Sequence, residues 1–244
     1  MPTYRLDLAY EGTGFHGFAA QEGLRTVQGE LEAALERVFR QPVKVVAAGR
    51  TDKGVHARGQ VVSFGAGGEV DPGRVERALS SLLGPEIAAR SCAVVDDSFS
   101  ARFSAKWRSY RYQVLNSRAP DPLVHRLTWH MEDRLDVVAM DRAAGHFVGT
   151  HDFSSFCRRA EGRGTERTVL SAAWSANGDL KLFDIRAVAF CHQMVRSITG
   201  FCVDAGRGRA DPESVPAVLA ARDRGAGRPM APAAGLILWE VGYE

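Results

Sequence analysis

Apolar and polar residues alternate from Tyr4 to Tyr10, with Tyr4, Leu6, Leu8 and Tyr10 on one face, which predicts a half-buried strand ended by Gly12 and Gly14. Val27, Leu31, Leu35 and Val38 then recur at helical spacing behind Thr26, a side chain able to cap the first turn, with Glu30 close by. This helix should run to about Phe39 and be closed by Pro42. Two runs rich in β-branched and apolar residues, Val43 to Ala48 and Gln60 to Phe64, predict strands. Asp71 and Pro72 open a second helix that continues through Leu83, and Ile87 to Val95 returns as a strand. The predicted order is β-α-β-β-α-β.

The same order can be traced again from Lys106. Lys106 to Asn116 reads as a long strand, Leu127 to His130 as a short apolar run, and Asp136 to Phe147 as a helix carrying Val137, Met140, Ala144 and Phe147. A basic loop follows. Thr168 to Ala176 and Leu180 to Ala187 flank Asn177 and Gly178, the strongest hairpin signal in the chain. Helices are expected over Cys191 to Asp204 and Pro212 to Ala221, and an alternating strand over Leu236 to Tyr243. Two such successions predict an α+β protein of two ferredoxin-like halves, forming a largely antiparallel mixed sheet with helices on one face and a central basic cleft. The boundary falls between Ser100 and Ala105, giving halves of residues 1–103 and 104–244, with the repetition in the order of elements rather than in the residues.

Composition narrows the class. With 244 residues, 45% of them hydrophobic, the chain has ample material for a packed core. Met1 to Asp7 offers no apolar targeting core and no segment approaches bilayer length, so the cytoplasm is the expected compartment, without membrane attachment. Cys92, Cys157, Cys191 and Cys202 are scattered with no Cys-x-x-Cys pair, which suggests reduced, structural thiols and no disulfide framework.

The net charge of +2 announces no polyanion partner, but its distribution is uneven. Between Arg102 and Arg126 stand Arg102, Lys106, Arg108, Arg111, Arg118 and Arg126 against Asp121 alone, interleaved with Trp107, Tyr110 and Tyr112. A second run holds Arg158, Arg159, Arg163 and Arg167 against Glu161 and Glu166. Cations that neutralise phosphates beside rings that stack on unpaired bases are the composition of an RNA-contacting surface, although a solvated face has the same look.

The stretch Ala48 to Ala57 carries the candidate chemistry. It sets Asp52 inside a glycine-bounded loop between two predicted strands, with Arg50 two residues earlier. Thr51 to Gly54 is also a good turn sequence, in which Asp bonds its own backbone and Gly supplies a positive φ. A guanidinium beside Asp52 would keep the carboxylate ionised and oriented when a ligand excludes water. Calcium and zinc uses fail on ligand count, since His56 has no partner at metal spacing.

Gly49 Arg50 Thr51 Asp52 Lys53 Gly54 Val55 His56 Ala57 resembles the signature of the tRNA pseudouridine synthase A family. The resemblance extends in order along nearly the whole chain: Tyr10 to Phe15, Val27 and Gln28, Phe99 to Ala105, Tyr110 to Tyr112, Asp152 to Phe156, Ala189 to Arg196, and Ala234 to Leu236. It implies isomerisation of uridine to pseudouridine in the anticodon arm of tRNA, typically at positions 38, 39 and 40, without cofactor or metal and by a homodimer. Carried over by motif position, Asp52 is the catalytic carboxylate, Arg50 pairs with it and assists base extrusion, and Tyr110 stacks on the extruded uracil. Arg102, His192 and Arg196 join the substrate-binding set, the last two on a helix.

The chemistry suits those residue types, since an ionised carboxylate can attack as a nucleophile or remove a ribose proton. The chain departs from the family at Gly17 Phe18 Ala19 Ala20 Gln21, where Gly Trp Gln x Gln is usual, and at Ser80, where Asn is common and a tolerated loop change is expected. The alternative reading is a non-catalytic RNA-binding or RNA-folding module, which the basic and aromatic segments alone would support.

Overall fold

The computed structural model describes residues 1–68, 70–158, 162, 164–227 and 229–244. They form an α+β chain of two compact units, Met1–Lys106 with Ile237–Glu244, and Trp107–Leu236.

In the first unit the strands are β1 (Thr3–Tyr10), β2 (Val46–Ala47), β3 (His56–Gly65) and β4 (Ile87–Val95), and the helices are α1 (Val27–Phe39) and α2 (Pro72–Leu83). β1 lies in the middle, antiparallel to β3 through pairs such as Leu6↔Val62 and to β4 through Leu6↔Cys92. β2 pairs with β3 at Ser63 and Val62, so the order β4-β1-β3-β2 is the ferredoxin-like one. The predicted alternation of β1 holds: Tyr4, Leu6, Leu8 and Tyr10 are buried. Tyr4 stacks on Phe64 at 5.2 Å and meets Phe39 of α1 edge-on at 5.3 Å, which docks that helix on the sheet. Thr26 caps α1 by accepting from Gly29 N at 3.2 Å, and Asp71 caps α2 by accepting from Arg74 N at 2.9 Å. Leu31 and Leu35 are buried on the face of α1; truncating either to Ala should cost about 2–5 kcal/mol.

The strand expected over Val43 to Ala48 shrinks to Val46–Ala47. Glu32 of α1 explains the loss, because its carboxylate accepts from Val45 N at 3.1 Å and removes that amide from any ladder. Ser80 lies on the exposed side of α2 rather than in a loop.

In the second unit the elements are β5 (Trp107–Asn116), β6 (Trp129–Met131), α3 (Val137–Gly145), β7 (Gly149–Asp152), β8 (Glu166–Asn177), β9 (Leu180–Ala187), α4 (Met194–Gly206) and α5 (Val215–Ala221). A short 3₁₀ turn, Pro212–Ser214, takes the first part of the helix expected over Pro212 to Ala221. The strands run β5-β9-β8-β7, antiparallel throughout, with β6 parallel to β5. Asn177 pairs with Leu180, so the hairpin turn is Gly178–Asp179, with Gly178 at φ 58°. Phe147, Phe156 and Phe201 meet at 4.9 to 6.3 Å and tie α3 and α4 together. The chain's last strand, β10 (Leu236–Gly242), runs parallel to β3 through Ile237↔His56 and Leu238↔Ala57. No helix among the described residues is long and apolar enough to cross a membrane.

The cysteines depart from expectation. Cys157 and Cys191 form a disulfide with Cα atoms 5.9 Å apart, across 34 residues of sequence. Spacing could not reveal it, because the segment after β7 and the segment before α4 meet only in the folded unit. Cys92 and Cys202 are buried free thiols, each pushed up to about 12, chiefly by burial.

Candidate active site

Ala48 to Val55 leaves β2 and returns to β3, and three sets of contacts hold it. Thr51, buried, places its hydroxyl 2.8 Å from Tyr10 Oη, while its carbonyl accepts from Phe18 N at 3.0 Å. Gln60, with no exposed surface, donates from Nε2 to Gly49 O at 2.7 Å and reaches Tyr10 Oη at 3.4 Å. Beyond the aspartate, Val55 N donates to Asp52 O at 3.1 Å and Gly54 N to Phe15 O at 3.3 Å. A loop bonded on both flanks holds the half-buried Asp52 in a narrow range of positions.

Two glycines let the segment after β1 lie against this loop. Gly17 has φ 97°, and a Cβ there would stand 2.9 Å from Thr51 O and 3.3 Å from the Asp52 carbonyl carbon. A Cβ on Gly12 would collide with Val55 O. His56, 2% exposed, accepts from Gly12 N at Nδ1 over 2.9 Å and so fastens the two segments. Phe18, in the family's usual Trp position, is 1% exposed and packs beneath the loop beside Tyr10. Gln21 donates to His16 O at 2.9 Å, and Ala20 N donates to Gln28 Oε1 at 3.1 Å.

Burial pushes the Tyr10 phenol up to about 12, against the opposing pull of its bonds to Thr51 and Gln60. It stays neutral over the working pH range and holds its place in the network. The supporting roles of Tyr10, Gln60 and His56 go beyond the sequence reading, in which Tyr10 was one face of a strand. Gln60 did leave a signal, as a polar residue opening the apolar run Val61 to Phe64.

Arg50 is exposed on this loop. Thr51 turns inward to Tyr10, and the residue before it is left facing solvent. Arg102 is exposed in the same unit, its guanidinium 5.1 Å from the Phe103 ring centre.

In the second unit, Tyr110 lies on β5, 8% exposed, with Phe190 meeting its ring edge-on at 5.0 Å. Two residues beyond Phe190, exposed His192 accepts from Arg158 N at 3.0 Å through its carbonyl. It precedes α4 rather than lying on a helix, because Gln193 takes a left-handed φ of 67° and α4 starts at Met194. Arg196, in the first turn of α4, donates from Nε to Ala231 O at 2.8 Å. Tyr110, His192 and Arg196 thus lie in one unit, and Arg50, Asp52 and Arg102 in the other.

The basic and aromatic surface expected around β5 is smaller than its composition suggests. Tyr112 has no exposed surface and donates to Pro232 O at 2.8 Å. Arg111 is neutralised by Asp184 through two bonds of 2.8 and 2.9 Å, directly across the ladder. The Arg186 guanidinium covers the Trp107 ring at 4.0 Å. Arg159, Glu161 and Arg163 lie outside the described residues.

The first unit thus presents a half-buried acid on a loop bonded on both flanks, carried by a ferredoxin-like sheet. The family model described as tRNA pseudouridine synthase matches residues 8–104 and 143–244, which include the whole Asp52 loop. The chain belongs to the tRNA pseudouridine synthase family, and is an isomerase acting on tRNA. The tRNA pseudouridine synthase A of Moorella thermoacetica is 45% identical over 246 residues, covering 100% of both chains. That of Bacillus subtilis is 40% identical over 240 residues, covering 97% of each.

Proposed function

We propose that the protein isomerises uridines of the tRNA anticodon arm, typically at positions 38, 39 and 40, with Asp52 as the catalytic carboxylate. The observation that carries this reading is the half-buried Asp52, on a loop fastened on both flanks by Thr51, Gln60 and the Gly12 to Phe18 segment. The reaction breaks the bond from N1 to C1′, turns the uracil, and joins C5 to C1′, so it gains and loses no electrons overall. A carboxylate serves it by attacking the ribose or by taking a ribose proton.

The base must first leave its stack, at a cost of a few kcal/mol. The exposed Arg50 guanidinium enters the space the base vacates, and Tyr110, braced by Phe190, receives the uracil. Arg102, His192 and Arg196 bind the RNA around it. The enzyme works as a homodimer in the cytoplasm, as the family resemblance implies.

Tritium release from tRNA carrying 5-labelled uridine tests the assignment. Asp52→Ala and Asp52→Asn should lose about 10²–10⁴-fold or more in single-turnover rate while still binding tRNA. A wild-type rate in either variant would overturn the role of Asp52. Folded wild-type protein that binds tRNA and forms no pseudouridine would favour the non-catalytic RNA-binding module instead. Pseudouridine mapping in tRNA from a strain lacking the gene checks the positions.

A further inference from the structure

An open cavity of about 400 Å³ in the second unit is lined by Cys157, Arg158, Gln193, Arg222, Asp223 and Arg224. Its cations are unevenly matched. Arg222 Nε lies 3.3 Å from Asp152 Oδ2, and Asp223 turns a carboxylate oxygen to Gly225 N at 2.9 Å. Arg158 and Arg224 have no carboxylate partner among the described residues. Arg224 is held by neutral groups instead, with Nη1 3.0 Å from Ser197 Oγ and Nη2 3.5 Å from Gln193 Oε1. Partial burial with no anion beside it pulls the Arg224 guanidinium below its ordinary value. A cation placed at a desolvation cost and braced without an anion is set up for an anion that arrives from outside.

The walls share that bias. Gln193 keeps a left-handed φ of 67° with no glycine to ease it, a strained conformation that concentrates at ligand sites. It stands at the start of the 13-residue α4, where no side chain caps the first-turn amides, so the positive end of the helix dipole adds to the arginines. The Cys157–Cys191 disulfide and the bond from Arg158 N to His192 O at 3.0 Å fix the two chain segments that carry Arg158 and Gln193.

We infer that this cavity is a phosphate subsite that takes a backbone phosphodiester of the bound tRNA, with Arg224 as its fork and Arg158 as the second cation. The occupant follows from the tRNA substrate of the proposed function, on which this inference rests. A phosphodiester brings paired oxygens that match a planar guanidinium.

The test is tRNA affinity against salt, by anisotropy of labelled unmodified tRNA, for wild type, Arg224→Gln, Arg224→Lys and Arg158→Gln. Arg224→Gln should raise Kd about five- to tenfold and reduce the slope of log K against log salt by about 0.9, the value for one phosphate contact. Arg224→Lys should keep the wild-type slope, because it keeps the charge, whereas a purely structural role would be lost in both variants. Arg158→Gln should shift the slope in the same direction by less. Unchanged Kd and slope in Arg224→Gln overturn the subsite. So does inorganic phosphate that raises the melting temperature of wild type but not of Arg224→Gln, while both bind tRNA alike, since the cavity then serves free phosphate. Wild type that forms no pseudouridine, yet loses affinity on Arg224→Gln, sinks the proposed function and leaves the subsite standing.

Discussion

Tyr10→Phe removes one oxygen and almost no volume, and so isolates the contact behind the Asp52 loop. Tyr10 is 4% exposed, with its hydroxyl 2.8 Å from Thr51 Oγ1 and 3.4 Å from Gln60 Nε2. Gln60 keeps its stronger bond to Gly49 O, so the loss falls on Thr51. A net hydrogen bond contributes about 0.5–1.5 kcal/mol, and leaving a buried hydroxyl unpaired costs about 1–3 kcal/mol. The variant should therefore lose about 1–3 kcal/mol of stability, or very roughly 2–12 °C in melting temperature for a chain of this length. The carbonyl of Thr51 still accepts from Phe18 N, so the loop loosens without leaving its place. A loosening of about 1.4 kcal/mol in the positioned state lowers the single-turnover rate about tenfold.

Urea melts and tritium release measure the two effects on one preparation. The double variant Tyr10→Phe with Thr51→Val removes both partners, and should recover about 1 kcal/mol relative to the sum of the single changes. Since the phenol is pushed up to about 12, wild type and Tyr10→Phe should show pH–rate profiles of one shape from about pH 6 to 9. A Tyr10→Phe protein with wild-type stability and rate, or strictly additive single changes, would refute the reasoning.

The Glu32 carboxyl offers a test by pH. Burial draws its value upward, but bonds from Lys44, Gln28 and Val45 outweigh that and leave it below the ordinary 4.5. A folded value below the unfolded one gives stability that is complete above about pH 4.5 and disappears as pH falls through the lower folded value. Lys44 is 85% exposed, so solvent screens its charge and the amide donors of Gln28 and Val45 matter more. Glu32→Gln should be less stable at pH 7 and should lose less stability on acidification below about pH 4.5; urea midpoints that fall in parallel with those of wild type would contradict this. Thiol titration checks the cysteines: without reductant, native protein should show no fast-reacting thiol, unfolded protein two, and reduced unfolded protein four. Four thiols in unreduced unfolded protein would show that Cys157 and Cys191 are not paired.

What the sequence made legible was whatever is written locally. The alternation of Tyr4 to Tyr10, the Thr26 and Asp71 caps and the hairpin around Gly178 each sit in a few neighbouring residues, and each became the expected element. The Asp52 loop was visible for the same reason, as an acid between glycines with strands on either side. Features made by distant residues were not visible. Val43 and Val45 carry strand propensity, yet Glu32, thirteen residues before Val45, takes the amide a ladder would use. Gly149–Asp152 has little strand propensity and is a strand because β8 lies beside it, through pairs such as Thr150↔Thr168.

The same division runs through the site. Arg50 and Asp52 are close in sequence, and composition alone suggests a pair; the contact that anchors Thr51 between them comes from Tyr10, forty-one residues away. Buried neutral groups, Tyr10, Gln60 and the Phe18 amide, hold the backbone of the loop before Asp52. Bonds between buried neutral groups are little screened by salt and phosphate contacts are strongly screened, so salt should weaken tRNA binding far more than it disturbs the backbone of the Asp52 loop.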